Sequence, residues 1–509
     1  MRGGLGRGLV FRTEMAMTIG VQLRRGTPVE NAPALAHSGV RIGAAHKSRK
    51  VDEVLFWAFI AGLAWVPFWF GSNDLLAWGI NAVLFPALAI IYEASILIRG
   101  ERHPLSIKEL GIPTALFVAV VLWIGFQNAT WTPSFLHHPI WGMAADALDR
   151  PVAGSISVNR DLTTLALLRL VTAASVFWIA VQLCRDASRA ICLLYCIAII
   201  GAIYAGYGLI SHAATPGYVP WVKSGAQPGF VSSTFMNRNS FATYGGIGLV
   251  AACGLILRLY RHEFTSVGGS VRFRIANFIE VTGHKGAALL GLAFVILVAL
   301  LLSGSRGGIG ATALALLVLG LLTIRRRKNG SAEQREAIIV FGALLLAATF
   351  LAFGDIFVEK LTQQGLYDAG RMQVYMITIG SILHAPLLGY GYGTFADVFP
   401  MFRDQSLHWR DSWTLAHNTY LEVFQGLGLL FGSVLVASVA LLVLRSFKGA
   451  ITRRQNETMP CVAASVAVLV GVNALVDFSL QMQAIAITFM AVLGAGVGQS
   501  ESSRRALED

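Results

Sequence analysis

Apolar runs of roughly twenty residues recur along most of this chain, more of them than any single water-soluble core accommodates. They fall at about 55–71, 75–98, 112–128, 162–183, 190–211, 239–257, 286–302, 309–324, 336–353, 417–444, 460–476 and 480–498. Hydrocarbon offers no partner to a free peptide group, so each run is expected as a helix that satisfies its own backbone. The expected fold class is therefore all-α, a polytopic integral membrane protein with about 12 transmembrane helices. A mean hydropathy of +0.63 and a charged fraction of only 13% point the same way. No soluble domain, internal repeat or low-complexity linker interrupts the pattern.

Charge placement orients the chain. The net charge of +12 would suggest a nucleic-acid partner in a soluble protein. Here most of the 40 Lys and Arg residues sit in short clusters between alternate apolar runs, which is a topology signal. Residues 1–50 are basic and contain no signal-peptide core, so they are expected to form a disordered cytoplasmic tail. Residues 51–499 form the membrane domain, and 500–509 a second cytoplasmic tail. The segments 129–161, 212–238 and 354–416 then face outward. The last is long for a plain connection and rich in aromatic residues, so it is expected to fold down on the membrane face. The inner loop 259–285 reads equally as an amphipathic helix on the lipid surface or as a solvated loop. The five cysteines lie in or beside apolar runs without metal spacing and read as packing residues.

Arginines placed outward run against that charge bias, and three stand out. Arg238 lies in Ser233-Thr-Phe-Met-Asn-Arg-Asn239, Arg306 in Ser303-Gly-Ser-Arg-Gly-Gly308, and Arg371 follows Asp368-Ala-Gly370. A single such arginine reads as an interfacial anchor. Three on one side, with glycines that admit backbone N–H groups, describe a cradle for a diphosphate, because guanidinium presents a fork of donors to phosphate oxygens. One further arginine, Arg169, falls inside a span.

The run Thr414 to Gln425 brings polar groups to the start of a long apolar helix. Asn418, Glu422 and Gln425 share a helical stripe, with His417 at its outer end. An imidazole there is a cap, an interfacial residue, or a base for an attacking sugar hydroxyl. Glu422 either orients the helix or pairs with an arginine. Gly389-Tyr-Gly-Tyr-Gly393 lacks the strand and lysine of a nucleotide loop, and reads as a structural turn or an aromatic turn facing sugar rings. No Asp-x-Asp lies on the outer side, so no metal ligand set is evident.

Taken in order, Thr234-Phe-Met-Asn-Arg-Asn-Ser-Phe241, Ser303 to Gly308, Arg371 through His384-Ala-Pro-Leu-Leu-Gly-Tyr-Gly-Tyr-Gly-Thr-Phe395, Ala416-His-Asn-Thr-Tyr-Leu-Glu422 with Gly426-Leu-Gly428, and Asn473-Ala-Leu-Val-Asp-Phe-Ser479 resemble the O-antigen ligase and polymerase superfamily of bacterial membrane glycosyltransferases. The resemblance spans about 230–495. It implies a GT-C-like fold with one large periplasmic loop, 354–416, in the bacterial inner membrane. It also implies inverting, metal-independent transfer of a glycan from undecaprenyl diphosphate to a sugar hydroxyl, with no cofactor. On the matching positions, Arg238 and Arg306 would hold the diphosphate, with Arg371 as a further participant. His417 would be the catalytic base, and Asn239, Asn418 and Glu422 would support them. The acceptor would be lipid A-core for a ligase, or a growing glycan for a polymerase. A lipid-linked-glycan transporter is the reading from another class.

Overall fold

The computed structural model describes residues 36–215, 229–260, 271–325, 369–405, 407, 413–453 and 455–501. These residues are all helix and connection. In chain order the helices are α1 (Ala36–Trp65), α2 (Leu75–Arg99), α3 (Gly111–Asn128), α4 (Ile140–Leu148), α5 (Arg160–Leu183), α6 (Ala187–Ala214), α7 (Arg238–Leu259), α8 (Val271–Leu302), α9 (Arg306–Arg325), α10 (Ala369–His384), α11 (Phe395–Phe402), α12 (Thr419–Thr452), α13 (Thr458–Asn473) and α14 (Gln483–Ser500). Residues Lys50–Asp509 form one compact unit, and Met1–Arg49 a separate one.

Nine helices among the described residues are long and apolar enough to cross a membrane. The chain is thus a multi-pass membrane protein. Three of the twelve expected spans fall outside that set. The run at 336–353 lies outside the described residues. Span 460–476 appears as the shorter helix α13, which ends at Asn473. Span 55–71 corresponds to the end of α1, which stops at Trp65, and the chain then turns through Pro67–Gly71. The stretch read as a disordered tail also differs, because its last part, from Ala36, is already helical. In the connection between α7 and the next span, 271–282 is helical and Gly283 leaves helical geometry before the span begins.

Burial separates the spans. In α7 and α14, 83% of the most apolar window is enclosed by protein, against 22% in the span that contains α3 and 28% in α2. Their composition explains this, since both are rich in Gly, Ala and Ser and let neighbouring backbones approach closely. The central pair is sheathed by α5, α6, α8, α9 and α13. The segment after residue 369 packs on itself through an apolar cluster of Val374, Phe395, Phe399, Leu407 and Ala416, and against the connection before α5 through another of Val158, Tyr390 and Val398.

A broken helix shapes the region where the polar residues gather. α12 is interrupted at Gly428, whose φ of 75° and ψ of 168° separate a short half, Thr419–Leu427, from a long half. A Cβ on Gly428 would sit 2.4 Å from the Leu387 carbonyl oxygen. The polar groups freed by the break find partners across the fold. Tyr390 N–H donates to the Gln425 carbonyl (3.1 Å), Gly391 N–H to Gly426 (3.0 Å), and Leu429 N–H to Pro386 (2.7 Å). Gln127 Nε2 also donates to Gly426 (2.8 Å), and Trp123 Nε1 to the Leu427 carbonyl (3.1 Å). Broken helices persist at membrane depth only with such re-pairing.

Candidate active site

Each of the three arginines opens a helix. Asn237 caps α7 by accepting from Asn239 N–H (2.7 Å) and Ser240 N–H (3.3 Å), which leaves Arg238 as the first helical residue. The loop before it is pinned by Thr234 Oγ1 on the Pro67 carbonyl (2.6 Å) and Ser233 Oγ on that of Tyr204 (2.7 Å). At the α8–α9 link, Gly304 takes a φ of 59°, and a Cβ there would fall 2.7 Å from the Phe230 ring and 3.3 Å from Arg238 Nη1. Ser305 Oγ then accepts from Gly308 N–H (3.3 Å), and α9 begins at Arg306. Arg371 lies in the first turn of α10 and donates to the Val476 carbonyl (3.0 Å).

These side chains act on one another. The charges that bear on Arg238 are those of Arg306 and Arg371. Its guanidinium carbon lies 3.8 Å over the Phe230 ring, and Nη1 is buried without a hydrogen-bond partner. None of the three helices has an acidic residue in its first turn. Cations at the positive end of a helix dipole oppose it, and like charges in reach of each other add to that cost. An anion with several oxygens is the natural complement of such a cluster.

His417 stands beside it. Its Nδ1 is 3.5 Å from Asp477 Oδ1, with the carboxylate side chain 3% exposed and the imidazole 19%. The ring meets Phe478 edge-on at 4.6 Å and Trp413 at 5.4 Å. A φ of 55° puts His417 in left-handed geometry, which is uncommon for a residue with a side chain. Three bonds hold it there. Tyr375 Oη donates to its carbonyl (2.9 Å), Ala416 N–H donates to Glu422 Oε1 (2.6 Å), and Asn418 caps α12 by accepting from Leu421 N–H (3.1 Å). Tyr375 is on the same helix as Arg371, and Val476 adjoins Asp477, so the arginine cluster and the histidine share one neighbourhood.

Asp477 extends the site to α7. Ser479 Oγ donates to Asp477 Oδ2 (2.6 Å), and the Thr243 hydroxyl lies 3.1 Å from Ser479 Oγ and 3.1 Å from the Asn239 carbonyl oxygen. Asn473 Nδ2 donates to both Thr243 and Ser479. The helix that starts at Arg238 is thereby tied to the partner of His417.

The structure brings Arg238, Arg306, Arg371 and His417 into one neighbourhood, and it gives each member of the polar stripe a partner within the protein. Asn418 is a cap and donates to the Leu475 carbonyl (2.9 Å), Glu422 braces Ala416, and Gln425 is buried on Ser381 Oγ (2.7 Å). All three answer backbone or side-chain demands at the start and break of α12. Asn239 enters through its backbone. The Gly389 to Gly393 turn is structural. Its glycines adopt φ values of 65°, 100° and 84°, and Tyr390 is buried, donating to the Ser381 carbonyl (3.1 Å). Burial pushes the Tyr390 hydroxyl up to about 12, so it stays a donor at neutral pH. Asp477 was not legible as a site residue, although the segment that holds it stood out. Among the described residues no group of three or more His, Cys, Asp or Glu is arranged to hold a metal ion.

These features define a class, a multi-pass membrane protein with an arginine cluster next to a His–Asp pair. Residues 291–436 match the family model described as O-Antigen ligase, so this stretch of the chain resembles that family. Arg306, Arg371 and His417 fall within the matched stretch, whereas Arg238 and Asp477 fall outside it. No curated protein matches the chain. The family indicates function of the ligase or polymerase type.

Proposed function

We propose that this protein is a glycosyltransferase that moves a glycan from undecaprenyl diphosphate to a sugar hydroxyl at the outer face of the bacterial inner membrane, with both termini cytoplasmic. The observation that carries the reading is the convergence of Arg238, Arg306 and Arg371 beside His417 and Asp477. In this reading the three guanidinium groups hold the donor diphosphate. As the anomeric bond breaks they stabilise the charge that builds on the leaving group, and a partly dry cleft strengthens that effect. Asp477 orients the imidazole through Nδ1, which leaves Nε2 to accept the proton of the attacking hydroxyl. Attack from the face opposite the diphosphate inverts the anomeric centre, and the arginines supply the charge that a metal would otherwise provide.

The acceptor favoured here is lipid A-core, which makes the protein an O-antigen ligase. A polymerase would share the donor site and differ in acceptor. The test uses purified protein in lipid nanodiscs with lipid-diphosphate glycan and lipid A-core, scored by release of the carrier diphosphate and by glycan on the acceptor. Release that requires the acceptor, and is lost in Arg306→Ala and His417→Ala, is the expected result. Near-normal release in both variants sinks the reading. Surface polysaccharide from a deletion strain separates the two acceptors, since unattached long polymer with free lipid A-core marks a ligase and single-repeat products mark a polymerase.

A further inference from the structure

The hydrogen bonds behind Asp477 run in one direction. Thr243 comes from α7, Asn473 is the last residue of α13, and Asp477 and Ser479 lie on the connection to α14; all of them are buried. Asn473 Nδ2 gives one hydrogen to Thr243 Oγ1 and the other to Ser479 Oγ (3.3 Å). Ser479 Oγ is thus approached by a donor, and its own single hydrogen goes to Asp477 Oδ2. At 2.6 Å that bond lies in the short range of a hydroxyl on a charged oxygen. A hydroxyl that donates there needs a carboxylate that accepts, so this order of donors fits the ionised form of Asp477.

Other bonds already fix the backbone of the pair. Asn418 Nδ2 donates to the Leu475 carbonyl and Thr419 N–H to the Ala474 carbonyl, both at 2.9 Å, which docks the residues next to His417 on the connection that carries Asp477. What they leave open is the rotation of the carboxylate. Asp477 Oδ1 and His417 Nδ1 face each other at 3.5 Å, and each is buried without a hydrogen-bond partner among the described residues. That separation is longer than a hydrogen bond, so the contact does not orient itself. The ionisable groups around the pair come from several helices. Arg371 and Tyr375 of α10 bond the Val476 and His417 carbonyls, Glu422 and Tyr420 of α12 bond Ala416 N–H and the Gly471 carbonyl, Arg238 opens α7, and Arg306 precedes Gly307, where a Cβ would lie 3.4 Å from Asn473 Oδ1.

We infer that Ser479, aimed by Asn473 and Thr243, is a positioning residue that holds the Asp477 carboxylate ionised and turned so that its other oxygen meets His417 Nδ1. An acceptor at that oxygen requires the proton of the neutral imidazole on Nδ1, which leaves Nε2 free to take a proton. The inference deepens the reading of His417 as the base and rests on it. A buried carboxylate is costly without donors, and the hydroxyl supplies one on the side away from the imidazole.

The experiment uses the full chain in nanodiscs with the carrier-release assay, read as kcat, donor KM and the pH dependence of kcat/KM. Ser479→Ala should lower kcat about tenfold, the size of one lost hydrogen bond to a charged group, with the donor KM nearly unchanged. The same loss weakens the proton-free form of the His–Asp pair more than the protonated form, so the acid limb of the profile should move about one unit to higher pH. Ser479→Thr keeps the hydroxyl and should stay within about threefold of the parent, with the acid limb in place. In an Asp477→Asn background, Ser479→Ala should cost less than about threefold more, because the carboxylate through which it acts is gone. An unmoved acid limb in Ser479→Ala overturns the inference. A further loss of about tenfold in the double variant does so too, as does a folded Ser479→Thr as slow as Ser479→Ala. If Ser479→Ala does not fold, Ser479→Cys decides, since it fills nearly the same space with a weaker donor, and an unmoved limb there overturns the inference. Full transfer by His417→Ala overturns the reading of the site and this inference with it, whereas an inactive His417→Ala beside an unaltered Ser479→Ala overturns this inference alone.

Discussion

Arginines at two places in the bundle have opposite surroundings. Where α2 and α5 end, Arg99 meets Asp52 (3.1 Å) and Glu101 (3.2 Å), and Arg189 also reaches Asp52 (3.9 Å). About 22 Å further along α6, at the level of Tyr204, the loop that leads to Arg238 begins its contacts, and there the charges acting on Arg238 are two more arginines. Carboxylates complement the first group within the protein. The second is arranged at helix N-termini without acidic residues in the first turn. The lesson is that Arg99 and Arg189 are complemented by a carboxylate of the same chain, whereas the charges acting on Arg238 are of its own sign.

That contrast is open to direct attack. The largest effect is expected from Arg238→Ala or Arg306→Ala, which should reduce carrier release by about 10³-fold, the scale of losing a preorganised donor to developing charge. The thermal midpoint of Arg238→Ala should hold or rise, because repulsion is removed, and a fall would break the comparison. Next, Asp477→Asn should slow transfer by about 100-fold through loss of imidazole orientation, with donor affinity measured by titration unchanged. Inorganic pyrophosphate should raise the thermal midpoint of the parent protein, by about 2.7 kcal/mol of stabilisation when present at 100 times its Kd, and should leave Arg238→Ala unmoved. Gly428→Ala should destabilise by about 1–3 kcal/mol in thermal or denaturant unfolding, since a Cβ meets the Leu387 carbonyl and φ is positive. The smallest effect belongs to Arg99→Met, about 1 kcal/mol of stability for partly exposed ion pairs, with transfer intact. Lost transfer in that variant would erase the distinction between the two ends.

The broken helix shows why some motifs read clearly and others did not. Gly389-Tyr-Gly-Tyr-Gly393 was open between a structural turn and a sugar-facing one, and its role depends on a helix break at Gly428 that it brackets from another part of the chain. The polar stripe Asn418, Glu422 and Gln425 followed helical spacing correctly, yet spacing says nothing of which backbone donors lie nearby, and those donors absorbed it. Arg238, Arg306 and Arg371 were visible because they stand at the ends of apolar runs where the charge bias of the chain leads one to expect few basic residues.

The chain by itself determined that it is helical and membrane-embedded, because hydrocarbon forces every spanning segment to satisfy its own backbone and to show it as an apolar run. It also determined which polar residues were out of place. Only the tertiary structure decided that Asp477 faces His417 and that three helix starts bring their arginines within range of one another. Hydropathy is a sum over neighbours in sequence, whereas those pairings follow from the rotation and depth of separate helices, which close packing sets and no local pattern records.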